Sequence, residues 1–139
     1  MMCSKFSTSS SKNVYNEGKD FTSLRCWMKA RDLRIFIYNY VIPLLPKHEE
    51  YNLCSQLKRA AVSITANIAE GYGRYNIQES IQFYRISRAS AYEIKDHLIT
   101  CMDLNYISEK ILFNGSELVE LFKIAIGSYI NYKRNQKKK

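Results

Sequence analysis

Apolar residues recur at steps of three and four along most of this chain, with few breaks. Because an α-helix advances about 100° per residue, this spacing places apolar side chains along one face of a helix. Only five glycines and two prolines occur in 139 residues, too little material for the many turns of a β-sandwich. We therefore predict an all-α fold built around one hydrophobic core.

Two helices are predicted in the first half of the chain. The first starts near Thr22 or Ser23, residue types that cap helix N-termini, and ends at residues 43–46, where both prolines stand. The second runs from about residue 49 to residue 70. It stops at residues 71–73, where we expect glycine to adopt a left-handed conformation.

Two longer helices are predicted in the second half. The third spans roughly residues 77–104, and the fourth starts at Ser108, a good cap, and reaches about Lys133. Gly115 predicts a kink or an interruption inside the fourth helix. Because the connections between the four helices are short, we expect an antiparallel up-down four-helix bundle.

The two ends of the chain differ in composition from this bundle. Residues 1–20 are rich in Ser, Lys and Asn without periodicity, which predicts a mobile segment before a bundle domain at residues 21–133. Residues 134–139 form a basic tail. Five of the eight net positive charges belong to Lys133, Arg134, Lys137, Lys138 and Lys139. Such an end attracts nucleic acid, or it serves only to solubilise the chain, and both interpretations stay open.

No apolar run is long enough for a membrane span or resembles a secretion signal. The longest, at residues 35–45, has 11 residues, whereas a membrane span needs about 20. The four cysteines have no close pairing, which is typical of reduced and mostly buried thiols. These features predict a cytoplasmic protein with no membrane partner.

The predicted second helix has two faces besides its core stripe. One is polar, about 80° wide, and consists of Arg59, Ser63, Asn67, Glu70 and Arg74. The other lies away from the core and yet holds small apolar residues, Val62, Ala66 and Ala69. Because a surface helix should be polar there, we predict that this face contacts another subunit, with a solvated face as the alternative. The polar face either forms an intersubunit or interhelix network of hydrogen bonds or is simply solvated.

The predicted third helix carries a basic row opposite its core face. The core face consists of Phe83, Ile86, Ser90, Ile94, Leu98, Cys101 and Leu104. The row consists of Arg85, Arg88, Tyr92 and Lys95. Cations interleaved with an aromatic side chain suit phosphate contacts and stacking on an exposed base. A solvated bundle face has the same composition, so nucleic-acid binding is one of two interpretations.

The residues that would carry chemistry in such a bundle are missing from the pattern. A di-iron site needs Glu-x-x-His pairs, whereas Glu93 and His97 are four residues apart and the other histidine is His48. The Gly71–Gly73 segment lacks the Gly-Lys-Ser/Thr of a phosphate loop. We therefore predict no catalytic residues, no metal and no cofactor.

One segment of the second helix resembles a known family signature. Residues 56–74, from Gln56 to Arg74, are similar to the signature of the 23S rRNA intervening-sequence protein family, also called four-helix bundle proteins. Residues 27–30 and 88–93 support the resemblance. Thr65 stands where the family usually has proline, and Ala89 replaces a usual glycine; both should favour regular helix.

This resemblance implies a non-catalytic bacterial protein that forms a homo-oligomer, a ring-like pentamer. It is compatible with two roles. In one, the basic surfaces bind RNA or another nucleic acid. In the other, the chain is an interaction scaffold or accessory subunit that recruits a partner protein such as a reverse transcriptase. The latter role is that of the distantly similar accessory variability proteins of diversity-generating retroelements.

Overall fold

A computed structural model of the chain describes residues 20–137, and nearly all of this region is helical. The four long helices are α1 (Arg25–Phe36), α2 (Leu53–Tyr72), α3 (Ile77–Asp103) and α4 (Glu109–Lys137). No β-strand occurs in this part of the chain, so the all-α prediction is confirmed. The predicted mobile segment lies outside the described residues except for Asp20.

The start of α1 differs from the prediction. Thr22 and Ser23 do not cap the helix; they belong to a 3₁₀ turn at Phe21–Ser23. Asp20 caps this turn, and its Oδ1 atom accepts hydrogen bonds from the Thr22 nitrogen at 3.0 Å and the Thr22 hydroxyl at 2.8 Å. The Asp20 side chain, one residue before the turn, therefore caps the point at which the chain becomes helical.

The helix continues beyond the end of α1 with π-helical hydrogen bonding. Residues Ile37–Val41 form a π-helical segment, followed by a 3₁₀ turn at Ile42–Leu44 that contains Pro43. The Ile42 nitrogen donates to the Ile37 carbonyl, five residues back. Because proline cannot donate a hydrogen bond and its ring crowds the carbonyl four residues earlier, the last turn cannot remain α-helical.

Helix α2 begins at Leu53, a few residues later than predicted. A 3₁₀ turn at Lys47–Glu49 precedes it. The buried Glu49 carboxylate accepts hydrogen bonds from the Leu53 nitrogen at 3.4 Å and from the Asn52 side chain at 3.1 Å. The glutamate predicted inside the helix therefore stands before it and anchors its first turn.

Gly71, near the end of α2, acts through close packing rather than through a special backbone conformation. The left-handed conformation predicted there is wrong: Gly73 has φ −81°, and Gly71 is an ordinary helical residue. A Cβ atom at Gly71 would lie 2.6 Å from Tyr84 Cε1 and 3.0 Å from the Ser80 carbonyl oxygen. The Ser80 hydroxyl donates to the Gly71 carbonyl at 2.8 Å. Glycine therefore lets α3 approach the end of α2.

The left-handed residue occurs instead between α3 and α4. Asn105 has φ 64°, and its nitrogen donates to the Met102 carbonyl at 2.9 Å. The Tyr106 nitrogen donates to the Cys101 carbonyl at 2.8 Å. These two bonds form a Schellman motif that ends α3. The Ser108 hydroxyl accepts from the Ile111 nitrogen at 3.2 Å, which confirms the predicted cap of the fourth helix.

Helix α4 is continuous through Gly115, so of the two predicted alternatives, a kink or an interruption, the interruption is wrong. A Cβ atom at Gly115 would lie 2.7 Å from Leu98 Cδ1 and 3.0 Å from Phe36 Cε2. The glycine is buried because α1, α3 and α4 meet there. The helix reaches Lys137, beyond the predicted end at Lys133, so it includes the first residues assigned to the basic tail.

The core lies between the four helices, each of which packs against two others: α1 on α2, α2 on α3, α3 on α4, and α4 back on α1. Its largest fully buried side chains are Tyr84, Phe36, Phe122, Leu33, Ile37, Leu57, Ile64, Ile68, Ile94, Leu98, Ile126 and Ile130. Four apolar faces therefore enclose one core, as the periodicity predicts.

The core face predicted for the third helix is partly wrong. Ile86 and Leu104 are exposed, whereas Tyr84, Ser87 and Ala91 are buried. The Ser87 hydroxyl donates to the Ile64 carbonyl at 2.6 Å, so α2 approaches α3 over small side chains. Small residues make the closest contact between α2 and α3. The buried face of α3 is therefore centred on these small residues rather than on its larger apolar side chains.

Candidate nucleic-acid interface and oligomer face

The predicted basic row lies on α3 beside α4. Arg85 and Arg88 are half-buried, Lys95 is exposed, and the Tyr92 side chain is 51% exposed. Within residues 20–137, none of the three cations has an ion-pair partner or a hydrogen bond. The stems of the two arginines are therefore partly packed, while no carboxylate of the described region neutralises their charges.

Helix α4 adds a cation that the sequence pattern did not single out. The Lys123 ammonium lies 4.5 Å from the centre of the Tyr92 ring. It also donates to Glu120 at 3.3 Å. The contact with Tyr92, reinforced by Glu120, raises the pKa of Lys123, so it stays protonated at neutral pH. Spacing within a single helix cannot reveal this contact, because it joins two helices.

The basic end of α4 lies beside the first half of α3. The Tyr84 and Tyr129 rings are 5.2 Å apart, so the residues after Tyr129 lie near the Arg85 end of the row. Lys133 is half-buried, and Arg134 donates to Asn131 at 3.3 Å. The predicted contacts of Lys137, Lys138 and Lys139 fall outside the described side chains.

The polar face of α2 contacts α3 within the same chain. Arg59 forms an ion pair with Glu93 and donates to Gln56 at 2.9 Å. Glu93 also lies 3.1 Å from His97 Nε2. The Glu93 and His97 pair considered as metal ligands therefore belongs to this interhelix network. Among the described residues, no group of three or more His, Cys, Asp or Glu side chains is placed to hold a metal ion.

The rest of this polar face divides into two parts. The Asn67 amide donates to the Ser63 carbonyl and hydroxyl, both at 2.9 Å, and the Ser63 hydroxyl lies 2.9 Å from that of Ser90 on α3. Glu70 and Arg74 instead pair with each other on the surface at 2.9 Å. All three charged residues of this face therefore have ion-pair partners within the chain, Arg59 with Glu93 and Glu70 with Arg74.

The small-residue face of α2 borders a groove between α1 and α2. Val62 is 47% exposed, Ala66 is exposed and Ala69 is half-buried. Two adjoining surface cavities, of about 400 and 360 Å³, share Arg34. We call them together the α1–α2 groove. The larger cavity lies between the two helices and is lined by Arg34, Ile35, Tyr38, Asn39 and Val62. The smaller one continues along α1 and is lined by Phe21, Thr22, Trp27, Arg31 and Arg34.

Thr65 fixes one wall of this groove. Its hydroxyl accepts a hydrogen bond from Arg34 Nη1 at 2.8 Å and donates to the Val62 carbonyl at 3.2 Å. The departure from the family proline thus leaves α2 regular and supplies a contact to α1. The groove could not be recognised from either helix alone, since each contributes only one wall.

Comparison with known proteins identifies the family of the chain. No helix in residues 20–137 is long and apolar enough to cross a membrane. A search of curated proteins gave no match. The family model described as 23S rRNA-intervening sequence protein matches residues 22–127, which include α1, α2, α3 and most of α4. The chain therefore belongs to the 23S rRNA-intervening sequence protein family.

Proposed function

We propose that this chain is a non-catalytic, homo-oligomeric protein of the cytoplasm that binds RNA through the face shared by α3 and α4. The observation that carries the proposal is the contrast among its arginines. Arg59 and Arg74 have carboxylate partners within the chain, whereas Arg85 and Arg88 have none among residues 20–137. An arginine with a packed stem and an unneutralised guanidinium suits a phosphate, which offers the same bidentate geometry as a carboxylate.

The aromatic residue of the row supports a single-stranded ligand. Tyr92 is half exposed although Lys123 lies over its ring, so an unstacked base has access to the remaining ring surface. Base–aromatic stacking contributes about 1–3 kcal/mol and tolerates any base. Phosphate contacts carry no sequence information. The face therefore suits weak, salt-dependent binding of RNA with little sequence preference.

The arrangement we propose for the subunit is an antiparallel up-down bundle. Pairs of contacting residues support it, because their numbers fall on one helix as they rise on the next. Between α2 and α3 the contacts are Gly71 with Ser80, Ile64 with Ser87, and Arg59 with Glu93. Between α3 and α4 they are Leu98 with Gly115, Tyr92 with Lys123, and Tyr84 with Tyr129.

Assembly into a ring, which we propose to be a pentamer, would multiply this weak binding. Several copies of the α3–α4 face could contact one strand, and each further contact would then form at a high effective concentration. The family name refers to a 23S rRNA intervening sequence, which agrees with an RNA ligand without identifying it.

The test is a fluorescence-anisotropy titration of a single-stranded RNA and a hairpin RNA at several salt concentrations. Arg85→Ala with Arg88→Ala should weaken binding and reduce the slope of log affinity against log salt by roughly 1.4–1.8, if each arginine contacts one phosphate. The control is Lys47→Ala with Lys110→Ala, which removes the same charge from exposed positions away from the face.

A second pair of samples separates the helix face from the basic tail. A chain shortened after residue 136 lacks Lys137, Lys138 and Lys139. It should still bind RNA if the α3–α4 face contributes, and the two arginine substitutions should weaken it further. If the full-length oligomer binds no RNA at low salt, the proposal fails. The alternative is then a scaffold that recruits a partner protein such as a reverse transcriptase.

A further inference from the structure

The outer surface of α4 carries an exposed apolar stripe that the bundle does not use. Phe113, Leu121 and Ile124 are 61%, 45% and 59% exposed, respectively. With Glu117 and Ser128 they follow one another at steps of four, four, three and four residues, all exposed. Such steps keep side chains on one face of a helix, so the five residues form a continuous row, which we call the α4 stripe.

An exposed apolar row of this length has a cost in water. Single apolar side chains are normal on a protein surface, whereas contiguous patches mark contact sites. The apolar side chains of the α4 stripe, from Phe113 to Ile124, span roughly 16 Å at about 1.5 Å per residue. The α1–α2 groove follows the first helix and its π-helical end from Trp27 to Asn39, roughly 18 Å on the same basis. The groove is thus long enough to hold the apolar part of the stripe.

The two surfaces are also complementary in character. The groove has apolar walls from Trp27, Ile35 and Val62, and two guanidinium groups, Arg31 and Arg34, line it. The stripe combines apolar side chains with Glu117, which has no ion-pair partner among the described residues. A carboxylate flanked by apolar side chains fits a groove that offers arginines between apolar walls.

We infer that the α4 stripe of one copy of this chain docks in the α1–α2 groove of the next copy. This inference rests on the proposed self-association and names the surfaces that would carry it. Because the stripe and the groove are different surfaces, the contact is heterologous, and repeated copies close into a ring when the rotation between neighbours allows. Ala66, exposed beside Val62, lets the incoming helix approach α2 closely.

A mixing experiment tests this contact directly. Val62→Arg fills the groove, and Ile124→Arg places a charge in the stripe; both positions are exposed, so the bundle should stay folded. Each variant alone should be monomeric by light scattering after size exclusion. An equimolar mixture should form a dimer, because the intact stripe of the Val62 variant meets the intact groove of the Ile124 variant. Circular dichroism melting checks that both variants are folded.

Two further variants complete the design. Glu117→Arg should also dissociate the assembly, since it sets a cation against Arg31 and Arg34. Tyr75→Arg, at a fully exposed position outside both surfaces, should leave the mass unchanged.

The outcomes separate the two proposals. If the wild type is oligomeric and both single variants keep its mass, or if the mixture stays monomeric, the assignment of surfaces is wrong while self-association stands. If the wild type itself is monomeric, self-association is wrong as well. A mixture that forms only dimers, from two variants that are each monomeric, supports the head-to-tail contact.

Discussion

Gly71→Ala would test the close packing that joins α2 to α3. The added methyl would lie 2.6 Å from Tyr84 Cε1 and 3.0 Å from the Ser80 carbonyl oxygen. Tyr84 is only 1% exposed, so its ring has little room to move, and the second neighbour is backbone. Overpacking of this kind costs about 1–3 kcal/mol. Alanine recovers up to about 1 kcal/mol through helix propensity. We expect a net loss of about 1–2 kcal/mol.

The matched control is Gly127→Ala in α4. A Cβ atom there would have no heavy atom within 4 Å beyond its own helix and chain neighbours. The substitution should therefore stabilise the protein by about 0.5–1 kcal/mol. Urea unfolding followed by circular dichroism, at one fixed protein concentration because assembly changes apparent stability, gives both values. If Gly71→Ala proves as stable as Gly127→Ala, the packing argument is wrong.

Three other predictions follow from the environment of particular residues. The hydrogen bond from Tyr106 at 2.8 Å lowers the pKa of Glu49 below its ordinary 4.5. The ionised Glu49 carboxylate therefore stabilises the fold fully above about pH 4.5, and this stabilisation is lost as the pH falls below that value. In the Glu49→Gln protein, the urea concentration at the unfolding midpoint should depend less on pH in this range. Burial raises the pKa of Cys26 to about 12 and that of Cys101 to about 11. Peptide mass spectrometry should find both thiols unmodified by a thiol reagent until the protein unfolds. Ala66→Arg should dissociate the oligomer without unfolding the subunit. Light scattering would report the lower mass and circular dichroism the intact helices; an oligomer of unchanged mass would contradict this prediction.

The sequence pattern was sufficient for features that depend on local geometry. Helix number, the approximate extent of α3 and the Ser108 cap follow from apolar spacing and from one polar side chain next to a helix start. These signals are contained within a few consecutive residues. Pro43 marks the end of the helical segment as a whole, whereas the α-helix itself ends at Phe36 and continues as a π-helical segment and a 3₁₀ turn.

Features that join two helices could not be predicted in this way. The buried face of α3 depends on the small residues of α2 that lie opposite Ser87. Apolar spacing within α3 alone therefore assigns Ile86 to the core, although it is exposed. The local sequence at Gly71 and Gly115 indicates conformational breaks, because nothing in it reveals the side chains that approach these glycines. The contact between Lys123 and Tyr92 depends in the same way on the alignment of α3 with α4.

Photo-crosslinking tests the proposed RNA contact most directly. Full-length protein is irradiated at low salt with a single-stranded RNA that contains 4-thiouridine, digested with trypsin and analysed by mass spectrometry. We expect RNA adducts on the peptide of residues 89–95, which carries Tyr92. These adducts should decrease at high salt. They should also decrease in the protein with Arg85→Ala and Arg88→Ala, where Tyr92 lies in the tryptic peptide of residues 75–95 because both intervening cleavage sites are lost. Adducts confined to other helices, or none at low salt, would contradict RNA binding through the α3–α4 face.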